Sequence, residues 1–335
     1  MRNILTILAG PLFLAWTASA IAAETDWKQI DAVLARTPVQ SGAIHRYGFP
    51  RTDLKVTLDG VEIKPGLALG GWMAFQPLQD GAMAMGDLVL TEAEVNPVMT
   101  KMLASGMEVT AVHNHLLRAT PGTFYMHFAG HGDPVTLAQA VRDALALTKT
   151  PFDPPGPAPA AMADLGIDTG QMEQILGFKG RNNGGVYQFG IPRSDTVSQD
   201  GMAVPGAMGS AIVINFQPTG AGKAAITGDF TALAREVNPL LKALRNNGIE
   251  VTALHNHMLD DEPRTFYIHF WAANIQYLSV DHDASALFRG EKRLRFIDAH
   301  AIETGSAKAL SVTFSPDSVA FDRAYRSQHW RNSCG

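Results

Sequence analysis

The stretch of sequence that decides the fold occurs twice. Residues 106–115 are Gly-Met-Glu-Val-Thr-Ala-Val-His-Asn-His, and residues 248–257 are Gly-Ile-Glu-Val-Thr-Ala-Leu-His-Asn-His, an offset of 142 residues. The same offset relates Thr-Phe-Tyr-Met-His-Phe at 123–128 to Thr-Phe-Tyr-Ile-His-Phe at 265–270. Because order and spacing both persist along the chain, the sequence predicts two copies of one domain.

The duplication divides the 335-residue chain. We expect a first copy near residues 27–150 and a second near 166–290, joined by a proline-rich linker at 151–165. Residues 291–335 have no counterpart in the first copy, and strand-like runs at 293–302 and 309–314 predict a C-terminal β extension.

Within each copy the pattern is mixed, and it predicts an α+β fold with a largely antiparallel sheet. Helical periodicity covers 27–36, 92–104 and 134–147, with short strand-like runs between the first two. Thr91 and Glu94 form a predicted capping box before the second of these helices, and Gly106 fits its C-terminal cap.

The first residues indicate export. A basic start, an apolar run and small residues near position 22 predict a signal peptide over residues 1–23. We therefore expect a periplasmic or secreted protein without a transmembrane segment in its mature chain. The formal net charge of −5 gives no reason to expect a nucleic-acid partner. The single cysteine, Cys334, excludes an intramolecular disulfide.

Histidines carry the chemical signal. If 109–115 is a strand, His113 and His115 project from the same face. An antiparallel hairpin centred near Pro121 would place His127 directly opposite His115. Three converging imidazoles form a typical site for a divalent transition metal, namely Zn, Cu, Fe or Ni. The second copy predicts the same set of ligands, namely His255, His257 and His269.

Acidic residues distinguish the two copies. In the connection after His257 the second copy has Glu262, where the first has Thr120. Glu262 is therefore our predicted catalytic residue, either as a general base for a metal-bound water or as a fourth ligand. The sequence leaves open whether the working site belongs to the second copy or is one composite site where the copies meet. It also leaves open the oligomeric state and whether the protein is an enzyme.

A non-metal alternative remains. The histidines, with Tyr125 or Tyr267, could hydrogen-bond a small organic molecule or a glycan, in which case the protein would be a binding or envelope scaffold protein. On either interpretation we expect a small-molecule ligand or substrate.

The His-Asn-His strand, the proline-containing connection and the Thr-Phe-Tyr-x-His-Phe strand resemble the LppY/LpqO family of bacterial envelope proteins. The resemblance covers about residues 27–290. Members of that family are often lipoproteins, whereas this chain lacks the lipidation cysteine. The family is functionally uncharacterised, so the resemblance implies an exported two-copy protein and implies no activity.

Overall fold

The computed structural model describes residues 25–152, 164–246, 248–277, 292–298, 309–315 and 318–321. The predicted signal peptide, most of the predicted linker and Cys334 lie outside these residues.

The first copy is one antiparallel sheet with helices. Its helices are α1 (Trp27–Leu34), α2 (Pro65–Ala68), α3 (Glu92–Ala104) and α4 (Pro134–Leu145). Its strands are β1 (Val39–Ser41), β2 (Ile44–Pro50), β3 (Thr57–Leu58), β4 (Val61–Glu62), β5 (Gly70–Leu78), β6 (Gly81–Thr91), β7 (Glu108–His113) and β8 (Thr123–Gly132). The main sheet has the order β1-β2-β5-β6-β8-β7, with β7 at one edge, and β3 and β4 form a separate two-stranded sheet.

The second copy repeats this arrangement. Its helices are α5 (Thr169–Leu176) and α6 (Ala234–Asn246), with a 3-10 turn at Gly206–Met208. Its strands are β9 (Arg181–Asn182), β10 (Tyr187–Ile191), β11 (Ser198–Gln199), β12 (Met202–Ala203), β13 (Ile212–Gly220), β14 (Lys223–Leu233), β15 (Glu250–His255), β16 (Asp261–Glu262) and β17 (Thr265–Tyr277). The order β10-β13-β14-β17, with β15 also paired to β17, matches β2-β5-β6-β8-β7 of the first copy. The predicted α+β fold of two homologous, mostly antiparallel units is confirmed.

The C-terminal strands extend the second sheet. They are β18 (Lys292–Asp298), β19 (Ala309–Ser315) and β20 (Ser318–Phe321). β18 pairs with the far end of β17, then β19 and β20 follow as antiparallel neighbours.

The helix ends follow the predicted signals. Glu94 accepts a hydrogen bond from the backbone N–H of Thr91 at 2.8 Å, which satisfies one of the free N–H groups at the start of α3. Gly106, with φ of +78°, ends α3 in the left-handed conformation that glycine adopts without strain. Gly248 does the same after α6, with φ of +75°.

The four layers are helix, sheet, sheet and helix. One face of the first sheet packs on α1, α3 and α4 through residues such as Phe75, Leu88 and Phe128. The corresponding face of the second sheet packs on α5 and α6. The opposite faces meet each other: Met85 and Tyr267, from different copies, belong to one buried cluster. Side chains on these facing surfaces are therefore buried between the copies.

In each copy an arginine with a buried side chain joins the end of a strand to the start of a helix. Arg51 is 1% exposed and its guanidinium contacts Asp53 at 2.9 Å and Glu94 at 2.7 Å. Arg193 makes the equivalent contacts, to Asp195 and to Glu236. Since Glu94 also caps α3, the ion pair joins the strand end to the helix start.

Candidate metal site between the two copies

All six predicted histidines lie between the facing sheets, at one place. We call them the histidine cluster: His113, His115, His127, His255, His257 and His269. His127 is on β8 and His269 on β17, the strands that neighbour β7 and β15, and each histidine is only 3% exposed. His113 and His255 end the edge strands β7 and β15, and His115 and His257 follow two residues later.

The predicted hairpin register is wrong. β7 ends at His113, which pairs with Tyr125, while His127 pairs with Ala111. His115 lies beyond the ladder and is not opposite His127. The observed pairs centre the hairpin two residues before Pro121, the centre that the prediction assumed. Strand pairing nevertheless keeps His113 and His127 on one face, with ring centroids 5.0 Å apart.

The histidines of the two copies contact each other directly. The rings of His113 and His255 stack with centroids 3.6 Å apart and planes inclined by 15°. The ring centroids of His115 and His269 are 3.8 Å apart, and those of His127 and His257 are 3.9 Å apart. The ring planes in these two pairs are inclined by 32° and 33°. The last two pairs are equivalent under exchange of the copies, so the cluster has pseudo-two-fold symmetry. The structure thus brings the two predicted sets into one composite cluster.

Reciprocal hydrogen bonds hold this symmetry. The hydroxyl of Thr110 donates to the carbonyl of His257 at 2.6 Å, and the hydroxyl of Thr252 donates to the carbonyl of His115 at 2.8 Å. Both threonines occupy the same position in their copies. Because each bond fixes the backbone of a cluster histidine, the copies position each other's ligands.

Two aspartates that sequence reasoning missed complete the site. Asp87 on β6 pairs with His127, and Asp229 on β14 pairs with His269. A carboxylate oxygen of Asp87 lies 3.5 Å from Nε2 of His115, and one of Asp229 lies 3.2 Å from Nε2 of His257. The signal was present, because Gly-Asp recurs at 86–87 and 228–229 with the offset of the duplication.

The structure does not bring Glu262 to the histidine cluster. Glu262 is exposed and pairs through its backbone with Ser198 on β11. Its neighbour Asp261 is buried, but its carboxylate accepts hydrogen bonds from the backbone N–H and hydroxyl of Thr265. The acids nearest to the histidines are therefore Asp87 and Asp229.

Hydrogen bonds orient several imidazoles. Nδ1 of His269 lies 2.9 Å from the carbonyl oxygen of Gly228, and Nδ1 of His257 lies 3.1 Å from that of Gly209. Nδ1 of His255 lies 3.1 Å from the carbonyl oxygen of Asn256. A neutral imidazole that donates through Nδ1 keeps the lone pair on Nε2 free for a ligand bond.

Several ring nitrogens of the histidine cluster form no hydrogen bond to the described residues. There are seven such buried nitrogens in the cluster: both ring nitrogens of His113, and Nε2 of His115, His127, His255, His257 and His269. Oδ1 of Asp87 and Oδ1 of Asp229 are likewise buried without a hydrogen bond. Buried polar atoms are almost always satisfied, so such a concentration points to a ligand.

Burial keeps these imidazoles neutral. Desolvation is the largest cause that lowers the pKa of all six cluster histidines. It lowers the pKa of His269 to about 4, against the opposing charge of Asp229. Burial, and then the nearby charge of Asp229, raise the pKa of Asp87 well above its usual range. Neutral imidazole is the form that binds metal ions.

Three groups in the cluster have the spacing of a metal site, with one ligand atom from each residue and all such atoms within 4.8 Å of one another. The groups are His113, His115 and His269; His113, His127 and His255; and Asp229, His255 and His257. The donor set fits the chemistry of Zn, Cu, Fe or Ni, since imidazole suits all four ions.

The tyrosines are engaged elsewhere. Tyr125 stacks on His115 at 3.4 Å between ring centroids, and Tyr267 stacks on His257 at 3.3 Å. The hydroxyl of Tyr125 donates to the carbonyl of Ala68 at 2.6 Å. The tyrosine rings thus pack against the rings of His115 and His257, and the Tyr125 hydroxyl is hydrogen-bonded to the backbone.

Fold and site together define a duplicated α+β protein with a buried histidine cluster between its copies. A family model described as Domain of Unknown Function (DUF1259) matches residues 28–147 and 170–277. The match covers more than half of the chain, so the protein belongs to this family.

Other comparisons add little. None of the curated proteins matches the chain. A solved structure, described as the crystal structure of a trimeric bacterial microcompartment shell protein PduB, is 13% identical, with 71% of this chain and 84% of that chain covered. Its TM-score of 0.18 gives no basis for transferring architecture or function. Among the described residues, no helix has both the length and the apolar character to cross a membrane.

Proposed function

We propose that this protein is an exported bacterial envelope protein that binds divalent transition-metal ions in the composite histidine cluster. One observation carries the proposal: seven buried imidazole nitrogens of the histidine cluster lack a hydrogen-bond partner among the described residues. Export is supported by the signal-like residues 1–23 and by the resemblance to the LppY/LpqO family.

The ligand chemistry supports a borderline ion. Six imidazoles and two carboxylates surround the site, and no thiol lies within the three groups of metal-compatible spacing. Zinc accepts nitrogen and carboxylate oxygen at about 2.0–2.2 Å, and Cu, Fe and Ni also accept imidazole. The backbone carbonyls on Nδ1 of His257 and His269 would orient these ligands and increase their basicity.

Elemental analysis tests the proposal. The mature chain would be purified without an affinity tag from a periplasmic fraction, and its bound metals measured by mass spectrometry. We expect close to stoichiometric transition metal, and a reduced content in His257→Gln and His269→Gln. His131→Gln, at an exposed histidine on the edge of the first sheet, is the matched control and should keep its metal. Less than a tenth of an equivalent in the wild-type protein, with no uptake on titration, would contradict metal binding.

A second candidate is metal-dependent catalysis on a small envelope or extracellular substrate. It is favoured by Asp229, whose carboxylate is 13% exposed and has an unpaired oxygen. A carboxylate beside a metal-bound water can accept its proton, which typically contributes about 10²–10⁴-fold in rate. Glu262 could fill this role only if its connection moved towards the cluster.

The catalytic candidate needs its own test. Zinc-loaded protein would be assayed on a panel of chromogenic esters and phosphodiesters, beside Asp229→Asn and Glu262→Gln. Turnover that is lost in Asp229→Asn and kept in Glu262→Gln would support the role of Asp229. No turnover on any substrate by the loaded wild-type protein would favour metal binding without catalysis.

A further inference from the structure

We propose that the cluster holds two metal ions, one in each of two half-sites related by the pseudo-two-fold axis. The first half-site is His113, His115 and Asp87, and the second is His255, His257 and Asp229. This inference rests on the metal binding proposed above, and it adds the number of ions and the ligand set of each.

The central histidine stack argues for separate ions. A metal bound to an imidazole nitrogen lies in the plane of the ring, along the lone pair. The rings of His113 and His255 are stacked with centroids 3.6 Å apart and planes inclined by only 15°. An ion in the plane of one ring, at a zinc–nitrogen distance of about 2.0–2.1 Å, would therefore lie outside the plane of the other. While they are stacked, the two rings cannot bind one ion together.

Within each copy the geometry suits one ion. His113 and His115 have ring centroids 5.0 Å apart with a tilt of 43°, and His255 and His257 repeat this at 5.1 Å and 43°. Rings inclined in this way aim their lone pairs at a common point more readily than stacked rings do. The near-identity of the two pairs shows that the duplication preserved the arrangement.

Each half-site has its own carboxylate. Asp87 lies 3.5 Å from His115, and Asp229 lies 3.2 Å from His257. In each aspartate the other oxygen, Oδ1, is buried without a hydrogen bond. Two carboxylates buried close together repel each other, and a cation beside each would offset that repulsion.

The remaining two histidines complete the half-sites across the copies. His269 of the second copy has the spacing of a metal site with His113 and His115. The rings of His269 and His113 are inclined by only 11°, but their centroids are 5.2 Å apart, so they are not stacked face to face as His113 and His255 are. By symmetry His127 of the first copy serves the second half-site, and its ring lies 3.9 Å from that of His257. Each ion would then bind ligands from both copies, and binding would join the copies to each other.

The competing arrangement is a single ion bound by His113, His127 and His255. It requires the central stack to open, and it leaves the His115–Asp87 and His257–Asp229 contacts unused. The two-ion arrangement uses all eight side chains and keeps the symmetry.

Zinc titration distinguishes the two arrangements. Metal-free protein would be titrated with Zn²⁺, and bound zinc measured after desalting. We expect two equivalents for the wild-type chain and for the control His131→Gln. The double variants Asp87→Asn/His115→Gln and Asp229→Asn/His257→Gln should each keep one equivalent, with circular dichroism checking that they fold.

The outcomes are separable. One equivalent in the wild-type chain, abolished by either double variant, would overturn the two-ion inference and leave the proposed function standing. No bound zinc would overturn both. As a measurement that needs no variant, wild-type protein loaded with two equivalents of Cu²⁺ should show a spin-coupled electron paramagnetic resonance spectrum. An uncoupled spectrum that saturates at one equivalent would contradict the inference.

Discussion

The metal-free protein should unfold at a mildly acidic pH. The perturbation is a fall in pH from 7.5 to 4 in the presence of a chelator, and the reason is that burial lowers the pKa of every cluster histidine. Above the unfolded-state pKa of about 6.5, the histidines are neutral in both the native and the unfolded state, and their protonation does not change the stability. Below this pKa the histidines of the unfolded chain bind protons, whereas the buried histidines of the native state do not. The free energy of unfolding therefore decreases as the pH decreases.

The magnitude follows from how far burial lowers each pKa. At one pH unit below 6.5, a histidine that stays neutral in the native state costs about 1.4 kcal/mol of stability. The raised pKa of Asp87 acts in the opposite direction, because the native state then binds a proton that the unfolded chain does not. The whole unfolding free energy of a domain is about 5–15 kcal/mol. His269 alone, with its pKa lowered to about 4, contributes about 3 kcal/mol over the full window from pH 6.5 to 4. We therefore expect the metal-free protein to lose its fold between about pH 4 and 6.

The assay is acid titration followed by near- and far-ultraviolet circular dichroism, with and without saturating Zn²⁺. Zinc binds the same nitrogens and should move the midpoint to lower pH, since about 100-fold excess over the dissociation constant adds about 2.7 kcal/mol per site. His269→Gln should flatten the pH dependence, while the exposed His131→Gln should not change it. A metal-free midpoint below pH 4, or one unchanged in His269→Gln, would refute the burial of neutral imidazoles.

Three further predictions address the parts that support the site. Thr110→Val and Thr252→Val each remove a hydrogen bond to a histidine carbonyl of the other copy and leave that carbonyl unpaired. Each should therefore lower the free energy of unfolding in urea by about 1–3 kcal/mol and weaken zinc binding. Unchanged zinc affinity in both variants would show that these bonds do not position ligands. Arg51→Met should cost about 3–5 kcal/mol, because it leaves Asp53 and Glu94 without their buried cation; a loss below 1 kcal/mol would contradict the role of this ion pair. Glu262→Gln should keep the zinc content of the wild-type protein while Asp229→Asn reduces it, and the reverse result would place the working acid in the connection after His257.

Much of the architecture was predictable because the signals are local. The offset of 142 residues reveals the duplication, and the Thr91–Glu94 capping box and Gly106 mark the ends of α3. The C-terminal run at 309–314 is also a strand, as predicted, although β18 ends at Asp298, earlier than the predicted strand.

The detailed site was less predictable because it depends on long-range packing. The sequence does not show where the β7–β8 hairpin turns, and so the prediction could not place His115 outside the ladder. The pairing of His127 with Asp87 joins strands β8 and β6, which are distant in sequence. The sequence identifies all six histidines as candidate ligands, but the stacking of His113 on His255 depends on how the two copies pack together. Glu262 is close to the histidines in sequence, whereas the acids close to them in space, Asp87 and Asp229, lie on the neighbouring strands β6 and β14.

The most direct test of the central claim is anomalous X-ray diffraction at the zinc absorption edge, on crystals of the protein grown with Zn²⁺. Metal binding by the composite cluster predicts anomalous density among the six histidines, with nitrogen ligands from both copies at about 2.0–2.1 Å. The two-ion arrangement predicts one peak on each side of the stacked His113 and His255. Crystals that contain zinc elsewhere and show no peak among these histidines would contradict the account.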